Sequence, residues 1–174
     1  QSMEKLADVP QKIDRMSITP HAGAVVVHGG AGTSRDHEDG CVLAARRALA
    51  QLEINGDALD AASGAGTRMG DDGRFNAGSG SVLGLDGATV EMDAAIMDTR
   101  GRLGAVACVQ AVQNPVHLAR AVADTPHWLL VGEGAGRFAR TIGMPDASPV
   151  SERQRTAHRR LLAQLAGSMP VMPG

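Results

Sequence analysis

The chain has 174 residues, of which 43% are hydrophobic and 21% charged, and a formal net charge of -2. That balance describes a globular domain long enough to bury a sizeable core; with only 2% aromatic residues, it excludes the basic footprint and the stacking platforms of a nucleic-acid binder. No apolar run approaches the roughly 18 residues of a membrane span, and the charged start QSMEKLADVPQKIDRMSITPHAG is not a signal peptide.

Residues 1–22 read as an N-terminal extension to a domain over 23–166, with a flexible tail over 167–174. GAVVVH, Gly23 to His28, is a short β-branched run, predicting a strand buried on both faces. HEDGCVLAARRALAQLEING places Val42, Ala45, Leu49 and Leu52 at helical spacing, with Asn55-Gly56 as its stop. In DALDAASGAGTRMGDDG, Asp57 is a helix cap, while Gly64 and Gly66 predict that the helix soon gives way to an irregular loop. SGSVLGLDGATVEMDAAIMD reads as two strands turning at Asp86-Gly87, and GRLGAVACVQAV as a third. NPVHLARAVADTP opens a helix with Asn114 as cap and Pro115 at its first position. HWLLVG is another strand and EGAGRFARTIG a short helix; SERQRTAHRRLLAQLAG begins with Ser151 and Gln154 at capping-box spacing. About five strands and five helices in mixed order predict a chain of mixed α and β with a largely antiparallel sheet.

HGGAGTS, directly after the first strand, raises the question of phosphate. A P-loop needs G-x-x-x-x-G-K-[ST], and GGAGTS has neither that spacing nor the lysine; Gly29, Gly30 and Gly32 also miss the dinucleotide intervals. His21, His28, His37, His117, His127 and His158 include no pair at metal-ligand spacing. His28 reads as a hydrogen-bonded strand-end residue. Asp93 and Asp98 are poorly placed for an acid/base pair, Asp71-Asp72 reads as a solvated turn, and the arginines of RQRTAHRR form a wet helix face. Two isolated thiols suit a reducing compartment, so the expected location is cytoplasmic.

Three stretches taken together carry more information: VVVHGGAGTS, FNAGSGSVLGLDGATVEMDAAIMD and GAVACVQAVQNPVHLARAVADTPHWLLVGEGAGRFA. In this order they resemble the plant-type asparaginase and isoaspartyl peptidase family of N-terminal nucleophile hydrolases, over the span from Ala24 to Gly143. The resemblance implies an α+β fold, a four-layer αββα sandwich of which this chain supplies roughly half. It implies a precursor that cuts itself before a threonine, so that this α subunit pairs with a β subunit beginning with Thr in an (αβ)2 heterotetramer. The expected reaction is hydrolysis of L-asparagine or of β-aspartyl dipeptides, both small-molecule substrates, with no nucleic acid or membrane as partner.

The resemblance also implies site residues. The loop from His28 to Gly32, with Gly29 and Gly30, lies beside the cleavage site, and Asn76 stands next to the nucleophile as an oxyanion donor or a water holder. Gly174 suits the position before the cut. No cofactor is implied other than a structural sodium ion, wrapped by the backbone carbonyls of Met69, Gly70, Asp72, Phe75, Ala77 and Ser79. Other readings stay open at this stage: a threonine endopeptidase, a glycosylasparaginase, or a non-catalytic module holding a small anion at the glycine loop.

Overall fold

A computed structural model describes residues 23–147 and 150–168. The expectations for the 1–22 extension and for Gly174 lie outside those residues. The fold is α+β, with five α-helices and a three-stranded sheet among the described residues.

Helix α1, Glu38–Asn55, ends as the sequence predicts, with Gly56 left-handed at φ 67° and its N–H on Leu52 O. Its buried stripe is Gly40, Ala44 and Ala48, rotated from the predicted face, and Val42 stands exposed. The reason is the neighbour. Helix α2, Ala58–Asp72, offers Ala61 and Ala65, and small residues on both sides let the two helices close into an alanine seam. Helix α2 starts where expected, with Asp57 Oδ1 accepting from the N–H groups of Leu59 and Asp60 at 2.8 and 3.1 Å. It does not give way at its glycines. Gly66 packs on Val116 and Gly70 on Asn114, so tertiary contact outweighs the propensity cost of about 1 kcal/mol per glycine.

Residues 23–28 form no ladder among the described residues, so the predicted strand is not observed. Val25 and Val27 pack on the alanine seam, whereas Val26 is 91% exposed; this is the one-sided alternation of an extended segment, not burial on both faces. Of the predicted hairpin only the second arm is a strand, β1, Met92–Met97. The Asp86-Gly87 turn forms, with Gly84 N on Thr89 O at 2.8 Å and Asp86 Oδ1 accepting from Ala88 N and Thr89 N. The first arm is diverted from strand pairing because side chains take its backbone groups: Asn76 accepts from Val82 N and Gln154 donates to Ser81 O.

Strand β2, Leu103–Val109, pairs antiparallel with β1, Ala95 opposite Ala105 and Met97 opposite Leu103. Strand β3, Leu129–Val131, joins β2 in parallel, so the sheet is mixed rather than largely antiparallel. The crossover between β2 and β3 carries α3, Pro115–Val122, whose backbone crosses β2 at Gly104; a methyl group there would overlap Ala119 O. Helix α4, Gly132–Thr141, closes the same side. Val106, Val109, Leu118, Val122 and Ala135 form the core between sheet and helices.

The opposite face of the sheet is apolar and is left uncovered by the described residues. Met97, Leu129 and Val131 are 73%, 51% and 51% exposed there. Helix α5, Glu152–Ser168, begins with the predicted capping box, Gln154 N on Ser151 Oγ and Ser151 N on Gln154 Oε1, and takes in Gly167 and Ser168 from the expected tail.

Candidate active-site cleft

The site is built where the C-terminal end of α2 meets the loop from Gly73 to Ser81. Gly70 and Gly78 approach so closely that a methyl group on Gly78 would lie 2.5 Å from Gly70 O. Gly78 has a φ of 53°, which only glycine adopts without strain. Ser79 Oγ donates to Gly70 O at 2.9 Å and closes the loop on the helix. A cleft of about 380 Å3 opens beside this contact, lined by Asn76, Gly78, Ser81, Glu91, Asp93 and Asn114.

Asn76 is exposed at the cleft. Its Oδ1 accepts from Val82 N at 3.0 Å, while its Nδ2 has no partner among the described residues. The amide is thus held by its acceptor end, with its donor end free. Across the cleft, Asp93 Oδ1 accepts from Cys108 N at 2.8 Å and Glu91 accepts from Gln110 at 3.1 Å. Cys108 takes a φ of 52°, a strained conformation for a residue with a side chain.

Gly29 and Gly30 do not line the cleft. Gly29 packs instead on the Phe75 ring: a methyl group on Gly29 would stand 3.1 Å from Phe75 Cε1 and 3.2 Å from Cys41 Sγ. Gly30 has a φ of 97°, and its N–H donates to His28 Nδ1 at 2.9 Å, so His28 is the hydrogen-bonded residue the sequence predicts. Thr33 Oγ1 donates to Gly29 O and Thr33 N to Gly30 O, closing the glycine turn. Burial first, and then Asp39 and Asp72, push the Cys41 thiol up; it stays protonated and fills space.

Asp71 and Asp72 are the last residues of α2 and not a turn; Asp71 is exposed, as expected of a solvated residue, and Asp72 is not. The Asp72 side chain is 5% exposed and pairs with Arg74, Nε to Oδ1 at 2.5 Å. Arg74 also grips Asp39 on α1 at 2.8 and 2.9 Å. Its guanidinium holds the carboxyls of both Asp39 and Asp72 below the usual carboxylate range. Asp71 Oδ1 accepts from Asn114 Nδ2 at 2.9 Å and Gln113 Nε2 at 3.2 Å. Sequence reasoning assigned Asn114 to a helix cap and missed this role; the only sequence signal was an Asp-Asp pair at a helix end.

The loop offers backbone oxygen, the donor type a hard cation takes. Gly70 O and Ala77 O each accept one hydrogen bond, from Ser79 Oγ and Gly80 N, which leaves each a second lone pair. The carbonyls of Phe75 and Gly73 crowd Gly80, where any side chain would overlap them. These residues fit a carbonyl-held ion. Met69 lies apart from the cleft, lining the groove against Val25 and Val27. No group of three or more His, Cys, Asp or Glu side chains among the described residues could hold a metal.

The chain is a member of the asparaginase family, whose sequence pattern matches residues 21–169. It is 45% identical over 152 residues to the plant-type L-asparaginase of Pyrococcus furiosus, covering 82% of this chain and 48% of that protein. It is 45% identical over 130 residues to the isoaspartyl peptidase/L-asparaginase of Homo sapiens, covering 70% and 42%, and 48% identical over 129 residues to that of Danio rerio, covering 70% and 41%. The chain spans about half the length of the curated relatives it matches.

Proposed function

We propose that this chain is the α part of a self-cleaving amide hydrolase that acts on L-asparagine or β-aspartyl dipeptides, with the nucleophilic threonine opening a second, β, part. The observation that carries the reading is the Asn76 amide, fixed through Oδ1 and free at Nδ2, in a cleft of a chain that belongs to the asparaginase family. The exposed apolar sheet face supports a partner half stacked on it in a four-layer αββα sandwich, and (αβ)2 is the assembly this reading assigns. The free thiols Cys41 and Cys108 support a cytoplasmic setting.

In this mechanism the α-amino group of the freed threonine, with a pKa of about 7.7 to 8.0 in model peptides, takes the proton of its own hydroxyl. The hydroxyl oxygen attacks the side-chain amide carbon of the substrate. The Asn76 Nδ2–H donates to the developing oxyanion, a contribution of about 3 to 4 kcal/mol in comparable sites. The amine leaves with the proton from the threonine ammonium, and water then resolves the acyl-enzyme. The glycines at 29 and 30 let the wall behind Phe75 adjust while the same threonine attacks its preceding carbonyl in self-cleavage. A sodium ion in the 69–79 carbonyl loop would be structural, fixing the strand of chain that presents Asn76.

The test is a full-length precursor assayed with β-aspartyl dipeptide and asparagine, compared with Asn76→Asp. Aspartate keeps an acceptor for Val82 N–H but has no donor when ionised. The expected result is two chains, the second beginning with Thr, and a kcat about 100-fold or more lower in the variant. A single uncut chain without amidase activity would overturn the reading.

A further inference from the structure

We propose that Asn114 is a positioning residue for the amide-hydrolysis site: its side chain pins Gly70 and so sets the loop that carries Asn76. The inference rests on the function proposed above and assigns a role to a residue whose side chain is turned to Asp71.

Asn114 occupies the N-cap position of α3, directly before Pro115, where an asparagine side chain ordinarily accepts from the helix N–H groups. It makes no such bond. Only its backbone carbonyl serves the helix, accepting from His117 N at 3.1 Å. The side chain, on a residue 9% exposed, is turned the other way, with Nδ2 donating to Asp71 Oδ1 at 2.9 Å. Asp71 is also held by Gln113 at 3.2 Å, so two consecutive residues at the start of α3 converge on one carboxylate at the end of α2.

The consequence falls on Gly70. Asn114 Oδ1 lies so close that any side chain at Gly70 would overlap it. Gly70 in turn contacts Gly78 and accepts from Ser79 Oγ at 2.9 Å. Asn76, Gly70, Gly78 and Asn114 all line the same cleft. A displacement of Asn114 therefore passes through packed backbone to the residue two positions after Asn76. Misplacing a donor by about 1 Å can cost 100-fold in rate, so the pin matters to chemistry before it matters to folding.

Two variants of the full-length protein separate positioning from stability. Asn114→Ser keeps a good cap for α3 but is too short to reach Asp71. Asn114→Asp combined with Asp71→Asn reverses the polarity of the hydrogen bond and remakes it. The readouts are kcat and KM on β-aspartyl dipeptide, Tm, and hydrogen exchange of the Val82 amide, which is held by Asn76 Oδ1 and reports the loop without any activity. We expect Asn114→Ser to lower kcat at least tenfold with KM within threefold and Tm unchanged, and to speed Val82 exchange at least tenfold. The double variant should recover both to within about threefold. A wild-type kcat in an active Asn114→Ser protein overturns the positioning role and leaves the hydrolase reading standing. An inactive wild-type protein overturns the hydrolase reading, and Val82 exchange then decides the pin: unchanged exchange in Asn114→Ser removes it as well.

Discussion

Phe75 occupies the space that a side chain on Gly40 would need: a methyl group there would lie 2.8 Å from both Cε2 and Cζ of the ring. The same ring abuts Gly29 and meets His37 edge-on, with centroids 6.1 Å apart at 78°. Phe75 is 2% exposed and is the residue before Asn76. It is therefore the physical link between the glycine turn after His28 and the asparagine of the cleft.

Glycine-to-alanine changes separate packing from propensity. Gly40→Ala gains helix propensity of up to about 1 kcal/mol, but overpacking against a buried ring costs about 1 to 3 kcal/mol, so Tm falls. Gly64→Ala, whose methyl would sit 3.7 Å from Arg47 Cγ, meets only ordinary contact and stabilises by about 0.5 to 1 kcal/mol. Urea unfolding of the two variants checks both signs.

Gly104 defines how closely α3 approaches the sheet. Its methyl would overlap Ala119 O and Ala123 N, both backbone atoms. Gly104→Ala is expected to destabilise by about 3 kcal/mol or more, read as a large drop in urea midpoint or as insoluble protein. An unchanged midpoint would mean that the helix moves away from β2 at no cost.

Acid should weaken the fold in a defined window. The Arg100 hydrogen bond first, then backbone N–H groups and Arg102, hold Asp57 below its usual range. Asp86 is lowered to about 2 by Thr89 and the turn N–H groups. For Asp98, burial raises the pKa, yet the bonds from Arg102 and Arg100 together outweigh it. A folded pKa below the unfolded value of about 4 stabilises above that value, and the gain is lost as pH falls toward the folded pKa. Urea midpoints should show this contribution intact from pH 7 to 5 and declining between about pH 4 and 2. Arg102→Gln should flatten part of that decline.

The uncovered sheet face predicts behaviour of the chain alone. On the reading proposed above, residues 1–174 expressed without a β part should bind the dye ANS through the face bearing Met97, Leu129 and Val131, since exposed apolar patches of this kind mark an interface. Co-expression with the proposed β part should suppress the signal. A soluble monomer without dye binding would count against a second layer stacked there.

The carbonyl loop gives an ion test that needs no enzyme assay. Sodium chloride should raise Tm more than the same concentration of tetramethylammonium chloride, because binding to the folded state alone stabilises it. Gly80→Ala, which would place a methyl group onto Phe75 O, should abolish the difference.

What the sequence by itself determined is what acts within a turn or two of chain. The Asp57 cap, the Gly56 stop, the Ser151–Gln154 capping box and the Asp86-Gly87 turn all appear where local chemistry places them, because each is satisfied by residues two to four positions away. The motifs around Gly29 and Asn76 were legible in the same sense, as short strings with a known resemblance. Tertiary structure decided the rest. Helix α2 runs through Gly64 and Gly66 because Arg47 and Val116 pack there. Residues 81–85 lose strand pairing to the side chains of Asn76 and Gln154. Asn114 leaves its cap for Asp71, 43 positions away. The local preference at each of these sites is worth about a kcal/mol, and contacts of equal or greater strength from beyond the local turn of chain override it.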